Sequence, residues 1–168
     1  ANDRVLRFRL PAGRLTPVGD ADVVVSGLPN TGDHISKTVV LADAHTLFVN
    51  IGSASNSCQV ANRQAQSPGV FPCPELPIRA GVWTFDAKGT NQTQADGEHY
   101  ATGLRNMVAL AVNPRNNELY GVQHGRDALE DSRQLAERGA DRALARWRDQ
   151  RERPVRAPSP RLVPMRRR

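Results

Sequence analysis

Two stretches of this chain share one layout, and that repetition restricts the possible folds more than any other feature. Val24-Val25-Ser26-Gly27-Leu28-Pro29-Asn30 and Tyr100-Ala101-Thr102-Gly103-Leu104-Arg105-Asn106 each run from a β-prone segment into Gly-Leu-x-Asn, 76 positions apart. Upstream, Val5-Leu6-Arg7-Phe8 answers to Val82-Trp83-Thr84-Phe85 at a shift of 77. Downstream, residues 47–52 answer loosely to residues 119–125 at a shift of about 72. Three segments in one order at nearly one offset describe a repeated β module. Side chains that do chemistry are then expected on the loops that follow the two corners.

Short strand patterns fill the chain up to residue 127. Residues 4–10 alternate, with Leu6, Phe8 and Leu10 on one side and Val5, Arg7 and Arg9 on the other. Asp22 to Ser26 is a second β run, and Thr38 to Leu41 with Thr46 to Ile51 flank Ala42-Asp43-Ala44-His45 as a hairpin. Residues 52–77 are rich in Ser, Asn, Gln and Pro without a period, which predicts a long loop. Gly81 to Phe85, His99 to Thr102, Met107 to Val112 and Glu118 to Gln123 complete eight strands, with no helix before residue 128. The class is all-β. Four short antiparallel strands per repeat is the composition of a β-propeller blade, so residues 1–127 read as half a blade, a whole one and another half. That is an incomplete β-propeller of about two blades; an eight-stranded sandwich is the alternative that periodicity alone leaves open.

Charge separates the chain into two regions. Residues 128–168 hold 12 of the 23 basic and 6 of the 17 acidic side chains, so the remainder balances 11 against 11 and the net +6 lies in the tail. The tail, 128–168, is predicted to be helical over 128–153, with Leu129, Ala136, Ala140, Ala143 and Trp147 on one side, and disordered beyond Pro154. It has charge but neither interleaved aromatics nor a recognition motif, which argues against specific nucleic-acid binding. No apolar run is long enough for a transmembrane helix. The sequence starts at Ala1 rather than Met, as a processed chain or a fragment does.

The polar groups of interest fall on one kind of loop. In a blade, the connection from the outermost strand to the next innermost strand opens on the same face as the connection between the two middle strands. Asp33-His34 and Arg105-Asn106 occupy the first kind in successive repeats; the long Cys loop and His124-Gly125-Arg126-Asp127 occupy the second. His34, preceded by Asp33, is a candidate general base, the alternative being a loop His bonded to its own turn. Arg105 suits bidentate binding of an anion, with Asn106 adding a donor and an acceptor; the alternative is an Arg that holds loop carbonyls. His45 and His99 have no second ligand at a useful spacing, and His124 lacks an HExxH or paired-His pattern for zinc. Cys58 and Cys73, with neither CxxC nor CxxCH present, suggest a disulfide and an oxidising compartment; two free thiols are the alternative.

With these residues in view, the chain from about Asn2 to Asp127 resembles the soluble quinoprotein glucose/sorbosone dehydrogenase family, near its sorbosone dehydrogenase-like branch. The matching segments are Gly27-Leu28-Pro29 with Asp33-His34, Val49-Asn50-Ile51-Gly52-Ser53, Cys58 with Pro72-Cys73, Arg79 to Asp86, Tyr100 to Asn106, and His124-Gly125-Arg126-Asp127. The resemblance implies a six-bladed propeller, secreted or periplasmic, that binds pyrroloquinoline quinone (PQQ) and calcium and oxidises a sugar hydroxyl or aldehyde, passing the electrons to an acceptor it does not identify. It implies that His34, with Asp33 beside it, takes the substrate proton, that Arg105 and Asn106 contact the cofactor, and that the Gly125 carbonyl is a calcium ligand. From Ala128 onward the tail departs from that pattern, and its Arg, Ala and Pro content is that expected of GC-rich sequence joined in a shifted reading frame. A chain truncated in this way is expected to leave the ring open and to be inactive by itself. A non-catalytic secreted β-repeat module that binds a partner through the Cys loop is the second expectation.

Overall fold

The computed structural model describes residues 2–127 and 163–165. Among them, three antiparallel sheets follow one another along the chain. β1 (Val5–Arg9) pairs with β2 (Val18–Val25). β3 (Val39–Leu41), β4 (Thr46–Ile51), β5 (Gly81–Asp86) and β6 (Glu98–Thr102) form a four-stranded meander in chain order. β7 (Met107–Val112) and β8 (Leu119–Gln123) form the third sheet, with β9 (Val163–Met165) along the other side of β8. This is the half blade, blade and half blade that the repeat predicts, and the fold is an incomplete β-propeller.

The three sheets stack face to face, and β4 shows why. Its residues Leu47 to Ile51 are all buried, a continuous run that one covered face would not produce. Leu47, Val49 and Ile51 pack with Trp83 and Phe85 of β5 against Val24, Val25 and Leu28, where the first sheet meets the second. Phe48 and Val82 point to the other side and pack with Met107 of β7 and Leu119 of β8. Each fully buried apolar side chain of this kind contributes about 1.5–3 kcal/mol. Hydrogen bonds tie the layers at their margins: Ser26 N donates to Gln92 O at 2.8 Å, and Thr38 Oγ1 donates to Met107 O at 2.6 Å.

The two Gly-Leu-x-Asn corners match in conformation as well as in sequence. Gly27 and Gly103 have φ of +69° and +80°, a left-handed backbone that glycine adopts without a Cβ penalty. The following leucine turns inward in both cases, and its N–H caps the chain just ahead of a strand. Leu28 N donates to Asp3 O at 2.9 Å, and Leu104 N donates to Ala80 O at 2.8 Å. Each corner therefore fixes the start of the loop that leaves it.

Two features differ from the sequence expectation. The long loop between β4 and β5 has an internal hairpin, closed by the Cys58–Cys73 disulfide and by Gln59 bridging to Gly69. In the tail, Val163–Met165 forms β9, which a Pro-containing triplet gives no period to anticipate; as the outer strand of its sheet it tolerates Pro164. The helix predicted over 128–153 lies outside the described residues.

Candidate functional site

The loop from β2 to β3 carries Asp33 and His34, and cations hold its carbonyls. Lys37 Nζ donates to Pro29 O and Ile35 O at 2.7 and 2.6 Å, and the buried Arg79 donates from Nη2 to Thr31 O at 2.6 Å. Burial first, then the neighbouring Arg79, lowers the Lys37 ammonium from 10.5 to about 8. On its inner side the loop rests on glycine. A Cβ on Gly52 would lie 2.6 Å from His34 Cβ and 2.7 Å from His34 O, so only glycine lets the loop pack this closely.

Hydrogen bonding fixes the imidazole tautomer. His34 Nδ1 is 3.0 Å from Ser53 O and 3.0 Å from Ser53 Oγ. The carbonyl can only accept, and Ser53 Oγ sends its own hydrogen to Ser55 O at 2.6 Å, so the imidazole hydrogen sits on Nδ1. Nε2 keeps its lone pair and has no hydrogen-bond partner among the described residues. Burial of the ring is the main cause that lowers its pKa below that of a free imidazole; the Arg105 and Arg63 charges act in the same direction, against Ser53 and Asp33.

Asp33 does not bond the imidazole. Its Oδ2 accepts from Asn62 Nδ2 at 3.1 Å and from Arg63 Nε at 2.9 Å, and these bonds, Asn62 first, hold its carboxyl below the usual range. Asp33 is thus an anchor for the tip of the Cys loop.

The next corner reaches the same place. Ser53, the partner of His34, also donates its N–H to Arg105 O at 2.8 Å, which joins the two loops through one residue. Arg105 lays its guanidinium along Asn56, with Nε to Asn56 O and Nη2 to Asn56 Oδ1, both 2.8 Å. Nη2 also pairs with Asp127 Oδ2 at 2.9 Å, and Nη1 reaches His124 O at 3.4 Å. Asn56 is buried, and its Oδ1 accepts the Asp127 N–H at 3.0 Å as well. Asp33-His34, Ser53, Arg105 and the segment 124–127 therefore share one rim. Arg105 does hold loop groups, the alternative weighed from the sequence, and one Nη1 hydrogen remains.

The TrAA12-like family profile matches residues 1–139. The chain belongs to the TrAA12-like family. The match reaches past Asp127, where composition changes, and it is to this family rather than to the sorbosone dehydrogenase branch that the motifs resemble. Two solved structures share the fold. One is the iodide structure of Trichoderma reesei Carbohydrate-Active Enzymes Family AA12, at TM-score 0.58 and 22% identity over 75% of this chain and 30% of that one. The other is the holo form of the pyranose dehydrogenase PQQ domain from Coprinopsis cinerea, at TM-score 0.56 and 18% identity over 76% of this chain and 29% of that one. This TrAA12-like chain thus spans under a third of the length of either structure. No curated protein sequence matches it.

For this family member, the structure adds residues that motif reading passed over. Asn56, Asn62 and Arg63 do much of the joining at the rim. One signal was available: Arg63 and Glu75 are the only charged residues in the polar stretch 52–77. Both are engaged, Glu75 by accepting Ala54 N and Ser55 Oγ, Arg63 by pairing with Asp33 and Asp127. His45 and His99 lie elsewhere; His45 Nε2 is 3.1 Å from Lys88 Nζ, and His99 stacks on Trp83 with centroids 3.9 Å apart.

The donors at the rim fit a polyanionic quinone better than a metal. The Arg105 guanidinium, with its remaining Nη1 hydrogen, stands beside Asn106, whose side-chain amide has no hydrogen-bond partner among the described residues. Among those residues no three His, Cys, Asp or Glu side chains gather as a metal site, and Asp127 Oδ2 is shared by two guanidinium groups. Calcium at this rim would have to draw on backbone carbonyls such as that of Gly125.

Proposed function

We propose that this chain is the part of a PQQ-dependent dehydrogenase that carries the general base, acting on a sugar hydroxyl or aldehyde. The observation that carries the reading is the Ser53-fixed tautomer of His34, which leaves Nε2 as a lone-pair acceptor one residue away from the Arg105 corner. PQQ, when bound, supplies the hydride acceptor. His34 Nε2 would take the hydroxyl proton, and Nδ1–H, anchored on Ser53, keeps the ring oriented while positive charge forms on it. Arg105 and Asn106 would hold carboxylate or quinone oxygens of the cofactor, where a guanidinium stabilises growing negative charge. The sorbosone or glucose preference implied by the motifs, calcium at the Gly125 carbonyl, and a secreted or periplasmic location consistent with the disulfide all belong to this proposal. Because the chain covers under a third of the similar structures, turnover is proposed for a longer chain holding the whole ring.

Calorimetric titration with PQQ tests the cofactor half. Heat of binding is expected for the chain and is expected to fall on Arg105→Ala and Asn106→Ala. A longer chain with the whole ring that shows no PQQ binding contradicts the reading.

A second reading is a secreted module that binds a partner through the Cys loop. It is favoured by the exposed Phe71 and Val60 on that loop. It predicts partner capture lost on Phe71→Ser, with no PQQ uptake.

A further inference from the structure

The disulfide-closed hairpin delivers one charged side chain to the rim. Its strands are joined by Val60 N to Pro68 O at 3.0 Å and Val70 N to Cys58 O at 2.8 Å, and its tip is fastened down by Asn56 N donating to Asn62 Oδ1 at 2.9 Å. At that tip Arg63 has φ +62°, a conformation uncommon for a residue with a Cβ and found where surrounding contacts over-determine the backbone. From there Arg63 Nε reaches Asp33 Oδ2 at 2.9 Å and Nη1 reaches Asp127 Oδ2 at 2.7 Å. Asp33 belongs to the His34 loop, and Asp127 is paired with Arg105 at 2.9 Å. Arg63 is the described side chain that ion-pairs both with Asp33 of the His34 loop and with Asp127, the partner of Arg105.

We propose that Arg63 is a positioning residue for His34. Carried by the Cys58–Cys73 hairpin, it neutralises Asp33, draws that carboxylate toward Asp127 and away from the imidazole, and so holds the His34 loop and the Arg105 loop in register. This deepens the dehydrogenase reading and rests on it only for the meaning of His34 as a base; the contacts themselves do not depend on a cofactor.

The charges that act on His34 are Asp33, Arg63 and Arg105, and Ser53 bonds its ring. Removing the Arg63 charge leaves Asp33 with less to offset it, so protonated His34 gains stability relative to neutral His34. Because Arg63 is about half exposed, the pair itself contributes little to global stability, and its loss is expected to be read locally.

The test is the NMR titration of the His34 imidazole in the full chain without PQQ, comparing wild type with Arg63→Ala, Arg63→Lys, and Cys58→Ser combined with Cys73→Ser. An upward shift of the His34 midpoint is expected in Arg63→Ala and in the double Cys variant, with Arg63→Lys returning toward wild type. A midpoint in Arg63→Ala equal to wild type overturns the proposal. So does a double Cys variant that keeps the wild-type midpoint, since the hairpin would then not be what delivers Arg63. Failure of PQQ to bind leaves this shift measurable, so the two ideas fail separately.

Discussion

At the residue scale the site depends on one glycine, one ring and one cation. Gly52 is small because His34 leans on it, and Gly52→Ala is expected to push the loop outward, costing about 1–3 kcal/mol in a urea unfolding series and displacing the His34 ring. The ring remains a base at lower pH than a free imidazole does. Its lowered folded pKa means that the unfolded chain binds more protons than the native one just below 6.5, so this group withdraws stability as pH falls through that value. The same direction sets the acid limb of any His34-dependent rate below pH 6.5, which a pH profile of kcat/KM checks. Lys37, also a cationic acid lowered by burial, behaves in the same way at higher pH. Its folded pKa of about 8 lies below the ordinary 10.5, so the unfolded chain again binds more protons between those values, and stability rises with pH across that window. Lys37→Met is expected to flatten that rise in thermal melts recorded from pH 8 to 10.5.

At the scale of elements, the strands were legible because alternation and turn residues both marked them. β7 was expected at Met107 to Val112 and lies there, and the hairpin of β3 and β4 turns at Asp43, whose Oδ1 accepts His45 N and Thr46 N. Of the Cys loop, the length and the Cys58–Cys73 disulfide were legible and the internal order was not. Its order comes from side chains bonding backbone, such as Glu75 on Ala54 N and Ser67 Oγ on Ala61 N, and such bonds leave no period to read. That is also why Asn56 and Arg63 escaped a reading based on motifs. β4 is where packing matters most, and Ile51→Ala, at a fully buried position, is expected to cost about 2–5 kcal/mol by denaturant midpoint. Leu15→Ala, at a position almost wholly exposed, is the matched control and is expected to change nothing measurable.

For the whole molecule, the alternation of β1 carries a further consequence. Val5 packs toward the central sheet and Arg7 reaches Ala87 O there at 2.8 Å, while Leu6, Phe8 and Leu10 face away and stay exposed. The apolar side of β1 is therefore the one that another sheet would cover in a ring. Val108 on β7 is exposed in the same way. Sedimentation velocity of the 168-residue chain is expected to show association that weakens on Phe8→Glu, with the secondary structure by circular dichroism unchanged.

The rim itself was readable as a convergence of loops, because the repeat gave two equivalent corners. Its chemistry was not, because which atom of His34 carries the hydrogen depends on Ser53, a residue that no spacing rule singles out. The decisive measurement is therefore single-turnover oxidation of an aldose by a PQQ-loaded chain holding the complete ring, wild type against His34→Ala. The rate is expected to fall about 10²–10⁴-fold in the variant while PQQ affinity is kept. An unchanged rate in His34→Ala would contradict the assignment of His34 as the base.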